Sequence, residues 1–177
     1  DGDRLVCLRQ ACRKCSSDGR ASTPANLVYA VAGADLADRG RRQVARDPKV
    51  DAERRGRAIF WIGQRGGKQS ATTLRELYGQ LEDDEVKEQV LFAASQAGEE
   101  MQGWLLEVAR SPKETMELRC RAIFWAGQLG EVPAADIYSL YQTSADRELK
   151  EQVIFTLSQQ GSEEAAEKLM QIVRQEP

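Results

Sequence analysis

Histidine is absent from this chain of 177 residues. Its absence removes the commonest general base of enzymes, the Ser-His and Cys-His pairs of nucleophilic catalysis and the imidazole ligands of metal sites. Most familiar hydrolase mechanisms are therefore excluded. We expect a protein that is not an enzyme, with no catalytic residues, no metal site and no cofactor.

Long apolar runs are also missing. The longest uncharged stretch, residues 21–34, contains Ser, Thr, Pro and Asn, and it is shorter than the roughly 18–20 apolar residues of a membrane span. The composition, rich in Ala, Leu, Glu, Gln and Arg, predicts a soluble all-α domain without a transmembrane helix. Because the first residue is Asp rather than Met, we expect that a preceding segment has been removed. A cytoplasmic and an exported location both remain open.

The two ends of the chain differ in charge. Residues 1–57 hold thirteen Lys and Arg against eight Asp and Glu, a net charge of +5, whereas residues 58–177 have a net charge of −8. Part of the basic excess is a group of arginines at Arg39, Arg41, Arg42 and Arg46. This segment is predicted to attract an acidic partner, to attract the acidic remainder of the chain, or to form a solvated face.

The sequence repeats itself. RAIFWIGQ at 57–64 returns as RAIFWAGQ at 121–128, and KEQVLFAASQ at 87–96 returns as KEQVIFTLSQ at 150–159. Together they define a unit of about 32 residues in which a glycine follows two residues after each recurrent glutamine. The glutamines are Gln64, Gln96, Gln128 and Gln159. A phenylalanine stands four residues before each of them, and we predict that these four side chains are core: Phe60, Phe92, Phe124 and Phe155.

Each unit divides into two helices. The first opens on an acidic stretch and closes near the recurrent glycine, and the second carries an apolar stripe at i, i+3 and i+4. The stripes are Leu74, Leu77 and Tyr78; Leu105, Val108 and Ala109; Ile137, Leu140 and Tyr141; Leu169, Ile172 and Val173. Because a lone hairpin cannot bury its apolar face, the hairpins must stack. The pattern predicts a right-handed α-solenoid of two-helix repeats.

The predicted organisation has three parts. Residues 1–25 form a short helix plus a loop, 26–47 a degenerate capping hairpin, and 48–177 the four repeats. The polar residues of the last second helix indicate a capped end. Large and small residues alternate between repeats, and we predict that Trp61 and Trp125 pack around Ala93. We expect the glutamines to pair with loop backbone rather than to line a groove.

These segments resemble the HEAT-repeat family, particularly its short bacterial forms, over residues 44–174. The first repeat departs from the others at Arg54, where they have Val or Leu. The resemblance implies stacked hairpins of the HEAT type. The repeats are also similar to those of phycobilin lyases, which implies chromophore or thiol chemistry with Cys120 as the candidate thiol.

The chain has four cysteines: Cys7, Cys12, Cys15 and Cys120. The spacing of Cys12 and Cys15 is half of a zinc-site spacing, but a zinc site without histidine would need all four thiolates. Unliganded thiols, a disulfide in an exported protein and a metal site remain alternatives. Cys120 falls where sister repeats have glutamate, so we expect it to be partly exposed.

Stacked second helices form a continuous inner surface, which is the predicted binding surface. Residues flanking the buried stripes are the candidate contacts: Arg75, Trp104, Leu106, Asp136, Tyr138, Lys168 and Met170. Trp104 and Tyr138 are the strongest candidates, because exposed aromatics are frequent interface anchors. For Trp104, Leu106 and Met170, burial at the core edge is the alternative.

The leading hypothesis for function is a non-enzymatic scaffold that binds a protein or peptide along the second helices. Nucleic-acid binding through the basic N-terminal third is an alternative, although a net charge of −8 on the repeats disfavours phosphates. Lyase-like chemistry at a cysteine is a further alternative.

Overall fold

A computed structural model of the chain describes residues 37–129 and 132–175, and these residues form helices and connecting turns without any β-strand. The all-α prediction is confirmed for them. The helices are α1 (37–46, as far as it is described), α2 (Ala52–Gly63), α3 (Gly67–Tyr78), α4 (Asp84–Ala97), α5 (Gln102–Arg110), α6 (Met116–Gln128), α7 (Ala134–Thr143), α8 (Arg147–Gln160) and α9 (Glu163–Gln175). A 3-10 turn, Glu99–Met101, precedes α5.

The chain divides into two units, residues 1–37 and 38–177, and helices α2 to α9, with residues 38–46 of α1, belong to the second. The predicted segment at 1–25 and most of the capping hairpin at 26–47 lie outside the described residues. So do Cys7, Cys12 and Cys15.

Local signals fix where the helices begin and end. The carboxylate of Asp51 accepts a hydrogen bond from the backbone N–H of Arg54 (2.9 Å), and Asp83 caps α4 in the same way. At the ends of α2 and α4, Gly66 and Gly98 have φ angles of 64° and 94°, which side-chain-bearing residues rarely adopt. The predicted acidic openings are therefore present at α2 and α4, each of which is followed by its recurrent glycine, whereas Gly130 lies outside the described residues.

The helices pack in order along the chain. The first helices, α2, α4, α6 and α8, contact one another consecutively. The second helices, α3, α5, α7 and α9, follow them, and α7 contacts both α5 and α9. Each of α3, α5 and α7 also contacts the first helix that comes after it. The hydrophobic core consequently lies between first and second helices, and one face of each first helix is left on the outside.

The phenylalanine column is not core, contrary to the prediction from its spacing. In α2 the buried apolar side chains are Ala58, Ile59 and Ile62, and the equivalent residues are buried in α4 and α6. Each residue advances about 100° around a helix, so Phe60 points to the flank of this buried stripe. Phe60, Phe92 and Phe124 are half-buried, and Phe155 is exposed.

The predicted packing of Trp61 and Trp125 around Ala93 is also wrong. Trp61 is 56% exposed, so it cannot enclose the fully buried Ala93. Trp125 instead contacts Phe92, with ring centroids 5.0 Å apart. The residue against Ala93 is Gly63: a Cβ atom added there would lie 2.5 Å from the Ala93 carbonyl oxygen. The small side chain of Ala93 is therefore packed against a glycine and not between two tryptophans.

Two arginines, one buried and one half-buried, connect consecutive repeats. The Nε of Arg55 donates to the carbonyl oxygen of Ala45 (3.1 Å) at the end of α1, and its Nη1 contacts Oδ2 of Asp83 (3.4 Å), the N-cap of α4. Sixty-four residues on, Arg119 makes the same two contacts, to Ala109 and Asp146; we call Arg55 and Arg119 the arginine clamps.

In the other two repeats a lysine replaces the arginine and a tyrosine replaces the alanine. Lys87 lies over the Tyr78 ring (5.3 Å) and Lys150 over the Tyr141 ring (4.9 Å). Tyr78 donates its hydroxyl hydrogen bond to Glu114 (3.0 Å), and burial together with that carboxylate raises the pKa of the phenol. The arginine clamps of the first and third repeats therefore alternate with lysine–tyrosine contacts in the second and fourth repeats.

Candidate functional site

Of the seven side chains predicted to contact a partner on the second helices, two are buried, two are half-buried and three are exposed. Tyr138 and Leu106 are each 5% exposed and belong to the hydrophobic core, so the expectation that Tyr138 projects outward is corrected. For Leu106 the core alternative is the one observed. Trp104 is half-buried, with its ring edge-on to Tyr78 at 5.1 Å between centroids.

The last helix explains the burial of Tyr138. Its hydroxyl donates to Gln175 Oε1 (3.3 Å), and the ammonium of Lys168 lies over its ring at 5.5 Å. The ring also stacks on Tyr141, with centroids 6.2 Å apart. These partners come from α9 and from the next turn of α7, so they hold Tyr138 inside the array.

The remaining candidates are exposed without forming a common apolar surface. Arg75 donates to the carbonyl oxygen of Glu100 (2.7 Å), and Asp136 is solvated. Met170 is exposed on α9, where Val173 is exposed too. The polar outer face expected for this last helix is therefore interrupted by two apolar side chains, and Val173 does not join the buried stripe.

The exposed aromatic side chains lie instead on the first helices. Six rings form an unbroken series of contacts across α2, α4, α6 and α8, which we call the aromatic strip: Trp61, Phe60, Phe92, Trp125, Phe124 and Phe155. Two stacked phenylalanine pairs lie at its ends, with centroids 6.1 Å and 6.5 Å apart, and Trp125 joins them. Trp61 and Phe155, the most exposed members at 56% and 48%, are on its first and last helices.

Sequence reasoning missed this strip because it assigned repeated aromatics to the core. A signal was available in α2. Once Ala58, Ile59 and Ile62 fill the buried stripe, residues 60, 61 and 64 fall outside it by helical geometry. The motif F-W-x-x-Q thus describes the outer flank of the helix.

The recurrent glutamines follow the strip. All four of these side chains are exposed, so the expectation that they pair with buried loop backbone is corrected: Gln64, Gln96, Gln128 and Gln159. A different residue fills that role, since Gln160 donates to the carbonyl oxygen of Val132 (2.9 Å). The exposed amides supply hydrogen-bond donors and acceptors beside the aromatic rings.

A groove of about 350 Å³ lies beside the strip, between α2 and α4. Phe60 and Phe92 form its apolar wall, and Gly56 contributes no side chain to fill it. Charged residues of the first helical turns border it, among them Glu53, Arg57 and Glu85.

Cys120 occupies the position in α6 that Gly56 occupies in α2, and it is half-buried, in keeping with the expected partial exposure. Burial, followed by the carboxylate of Glu148, raises the pKa of the Cys120 thiol, and Asp146 adds to the effect while Arg119 opposes it. A protonated thiol at neutral pH is the opposite of an activated nucleophile.

We expect alkylation of Cys120 by iodoacetamide to be slower than that of a free cysteine at pH 8, because only the thiolate reacts. Glu148→Gln removes a charge that raises the thiol pKa, so it should speed alkylation at the same pH. Peptide mass spectrometry distinguishes Cys120 from the other cysteines, and Glu163→Gln on α9 is the control. Equal rates in Glu148→Gln and the parent would contradict the assigned cause.

The described part of the basic N-terminal third comprises α1 and the first half of α2. Arg39, Arg42 and Arg46 border an open concavity of about 620 Å³. Part of this charge is neutralised locally, because Arg46 lies 3.9 Å from Glu76 and Asp38 pairs with Arg41. No cluster of three potential metal ligands occurs among residues 37–129 and 132–175. No helix in the same residues combines the length and apolarity needed to cross a membrane.

In comparisons with known proteins, the chain matches no protein-family model, no curated protein and no solved structure.

Proposed function

We propose that this chain is a right-handed α-solenoid of HEAT-type repeats that serves as a non-enzymatic scaffold and binds a protein or peptide through its aromatic strip. The observation that carries the proposal is the continuity of the strip: six aromatic rings on the four first helices contact one another in series, with Trp61 and Phe155 exposed and the other four half-buried. Contiguous exposed apolar surface of this kind marks interaction sites.

The strip has the composition of a binding surface. Tryptophan is among the residues that dominate interface energies, and exposed amides beside it supply hydrogen bonds that fix a partner's orientation. The second helices offer a partner fewer accessible apolar and aromatic side chains, because Tyr138 and Leu106 are buried and Trp104 is packed against Tyr78. The proposed binding surface therefore lies on the first helices, whereas the sequence periodicity suggests the second helices.

Selection from a random peptide display library tests the proposal. Peptides enriched on the parent protein are expected to bind Trp61→Ala and Phe155→Ala about tenfold more weakly or worse, as typical interface anchors do. Both side chains are exposed, so neither substitution should unfold the protein. The matched control is Met170→Ala with Val173→Ala, which removes exposed apolar side chains from α9 instead.

Three outcomes would contradict the proposal. Peptides that lose affinity only in the α9 control would assign binding to the second helices. Enrichment no better than on an unrelated helical protein would oppose a scaffold role. Preferential capture of nucleic acid that weakens when Arg39 and Arg42 are neutralised would favour the basic helix α1.

A further inference from the structure

The groove between α2 and α4 is lined by residues that are only partly repeated in the second half of the array. Its floor depends on Gly56: a Cβ atom added there would lie 3.2 Å from Cγ of Gln89. In the second half the equivalent position in α6 holds Cys120, which is half-buried. Two positions that line the groove therefore differ in the second half, where Cys120 replaces Gly56 and Met116 replaces Ala52.

The charges around the groove are unequally paired. Arg57 forms an ion pair with Glu53 one turn earlier in α2. The carboxylate of Glu85, on the α4 side, has no ion-pair or hydrogen-bond partner within residues 37–129 and 132–175. The groove therefore offers an aromatic wall and one uncompensated negative charge.

We propose that this groove takes the side chain of an arginine from the protein or peptide partner, an inference that rests on the proposed function. The aliphatic stem would lie along Phe60 and Phe92, and the guanidinium would pair with Glu85. Arginine suits both features, because its methylene stem packs along apolar surface and its planar group donates two parallel hydrogen bonds to a carboxylate. An acidic side chain would meet Glu85 with like charge, and a purely apolar one would leave its carboxylate unused.

N-acetyl-arginine amide is the probe, with N-acetyl-citrulline amide as its neutral match in shape. Binding is followed on the full chain by backbone amide chemical shifts. We expect saturable shifts at the first turns of α2 and α4, and at least about tenfold weaker binding of the citrulline compound, since a charged hydrogen bond is lost. Glu85→Gln should weaken arginine binding similarly, whereas Glu117→Gln, at the equivalent position in α6, should not.

Gly56→Cys tests the floor of the groove. It reproduces the residue found in the second half, and only the flexible Gln89 side chain must move, so the fold should be kept. Arginine-dependent shifts at α2 and α4 should disappear. Conversely, Cys120→Gly combined with Met116→Ala should create a second set of shifts at Phe124 and Phe155. Binding that survives Gly56→Cys, or that citrulline reproduces, would overturn the arginine site.

The experiments can contradict the scaffold function and the arginine site independently of each other. If selected peptides depend on Trp61 but lose nothing when their arginines are replaced by citrulline, the scaffold function stands and the arginine site falls. If the arginine amide binds as described while no peptide is selected, the groove is a cation site and the scaffold function falls.

Discussion

Gly63→Ala is expected to destabilise the protein by about 2 kcal/mol. The added Cβ would lie 2.5 Å from the Ala93 carbonyl oxygen and 3.0 Å from the Ala93 Cβ, so α2 and α4 must separate. Overpacking of this kind costs about 3 kcal/mol at the upper end of its usual range, offset by about 1 kcal/mol from the better helix propensity of alanine. A lower urea midpoint at unchanged slope would measure the loss.

Gly127 is the matched control, because it has the same place in α6 but a different neighbour. Its added Cβ would meet the Cγ2 methyl of Thr156, a side-chain atom that can rotate away, whereas a backbone carbonyl cannot. Gly127→Ala should therefore change stability by less than about 1 kcal/mol, the size of the propensity gain. In a Thr156→Ser background, without the methyl, it should become stabilising. Equal losses at Gly63 and Gly127 would contradict this distinction between rigid and flexible neighbours.

The contrast between these glycines also shows what the sequence could predict. The alternation of repeats was legible, since Trp-Ala-Gly-Gln at 125–128 repeats Trp-Ile-Gly-Gln at 61–64 and differs from the smaller residues at 93–96. The sequence could not predict which side chains contact each other between helices. A period of 32 residues fixes equivalent positions within repeats, but the contact of Gly63 with Ala93 joins positions that are not equivalent.

The same limit explains why the phenylalanine column was assigned to the core. Ile59 and Phe60 are neighbours, both apolar and both repeated, so helical periodicity alone accepts either as the buried edge. The packing of α2 against α4 selects Ile59, which is fully buried, and leaves Phe60 at the surface. Burial of Tyr138 likewise depends on Lys168 and Gln175, which lie 30 or more residues away in sequence.

The sequence could thus predict the kind of binding surface, but not which helices form it. Exposed aromatics were expected on the second helices, but the exposed aromatic side chains are on the first helices, together with glutamines that were expected to pair with loop backbone. The arginine clamps were more accessible to sequence reasoning. Val44-Ala45-Arg46 matches Val108-Ala109-Arg110, and Arg55 and Arg119 follow ten residues after each alanine, so both ends of the contact repeat with one period.

Arg55→Met is expected to lower the free energy of unfolding by about 3 kcal/mol, the largest loss expected of any substitution proposed for this protein. Arg55 is 6% exposed and supplies the hydrogen bond that the Ala45 carbonyl lacks at the end of α1. Leaving such a buried acceptor unpaired costs about 1–3 kcal/mol. The contact with Asp83 adds less, up to about 1 kcal/mol, because that carboxylate is partly solvated and its charge is screened.

Three further variants separate these contributions. Arg54→Met removes the adjacent, exposed guanidinium and should change stability by no more than about 0.5 kcal/mol. Asp83→Asn keeps a capping side chain while removing the charge, so it isolates the smaller ionic part. Arg119→Met tests the second clamp, where the contacts to Ala109 and Asp146 are the same but the guanidinium is more exposed, and the loss should be smaller. If Arg54→Met and Arg55→Met were equally tolerated in urea unfolding, the hydrogen bond to the end of α1 could not be what holds the first repeats together.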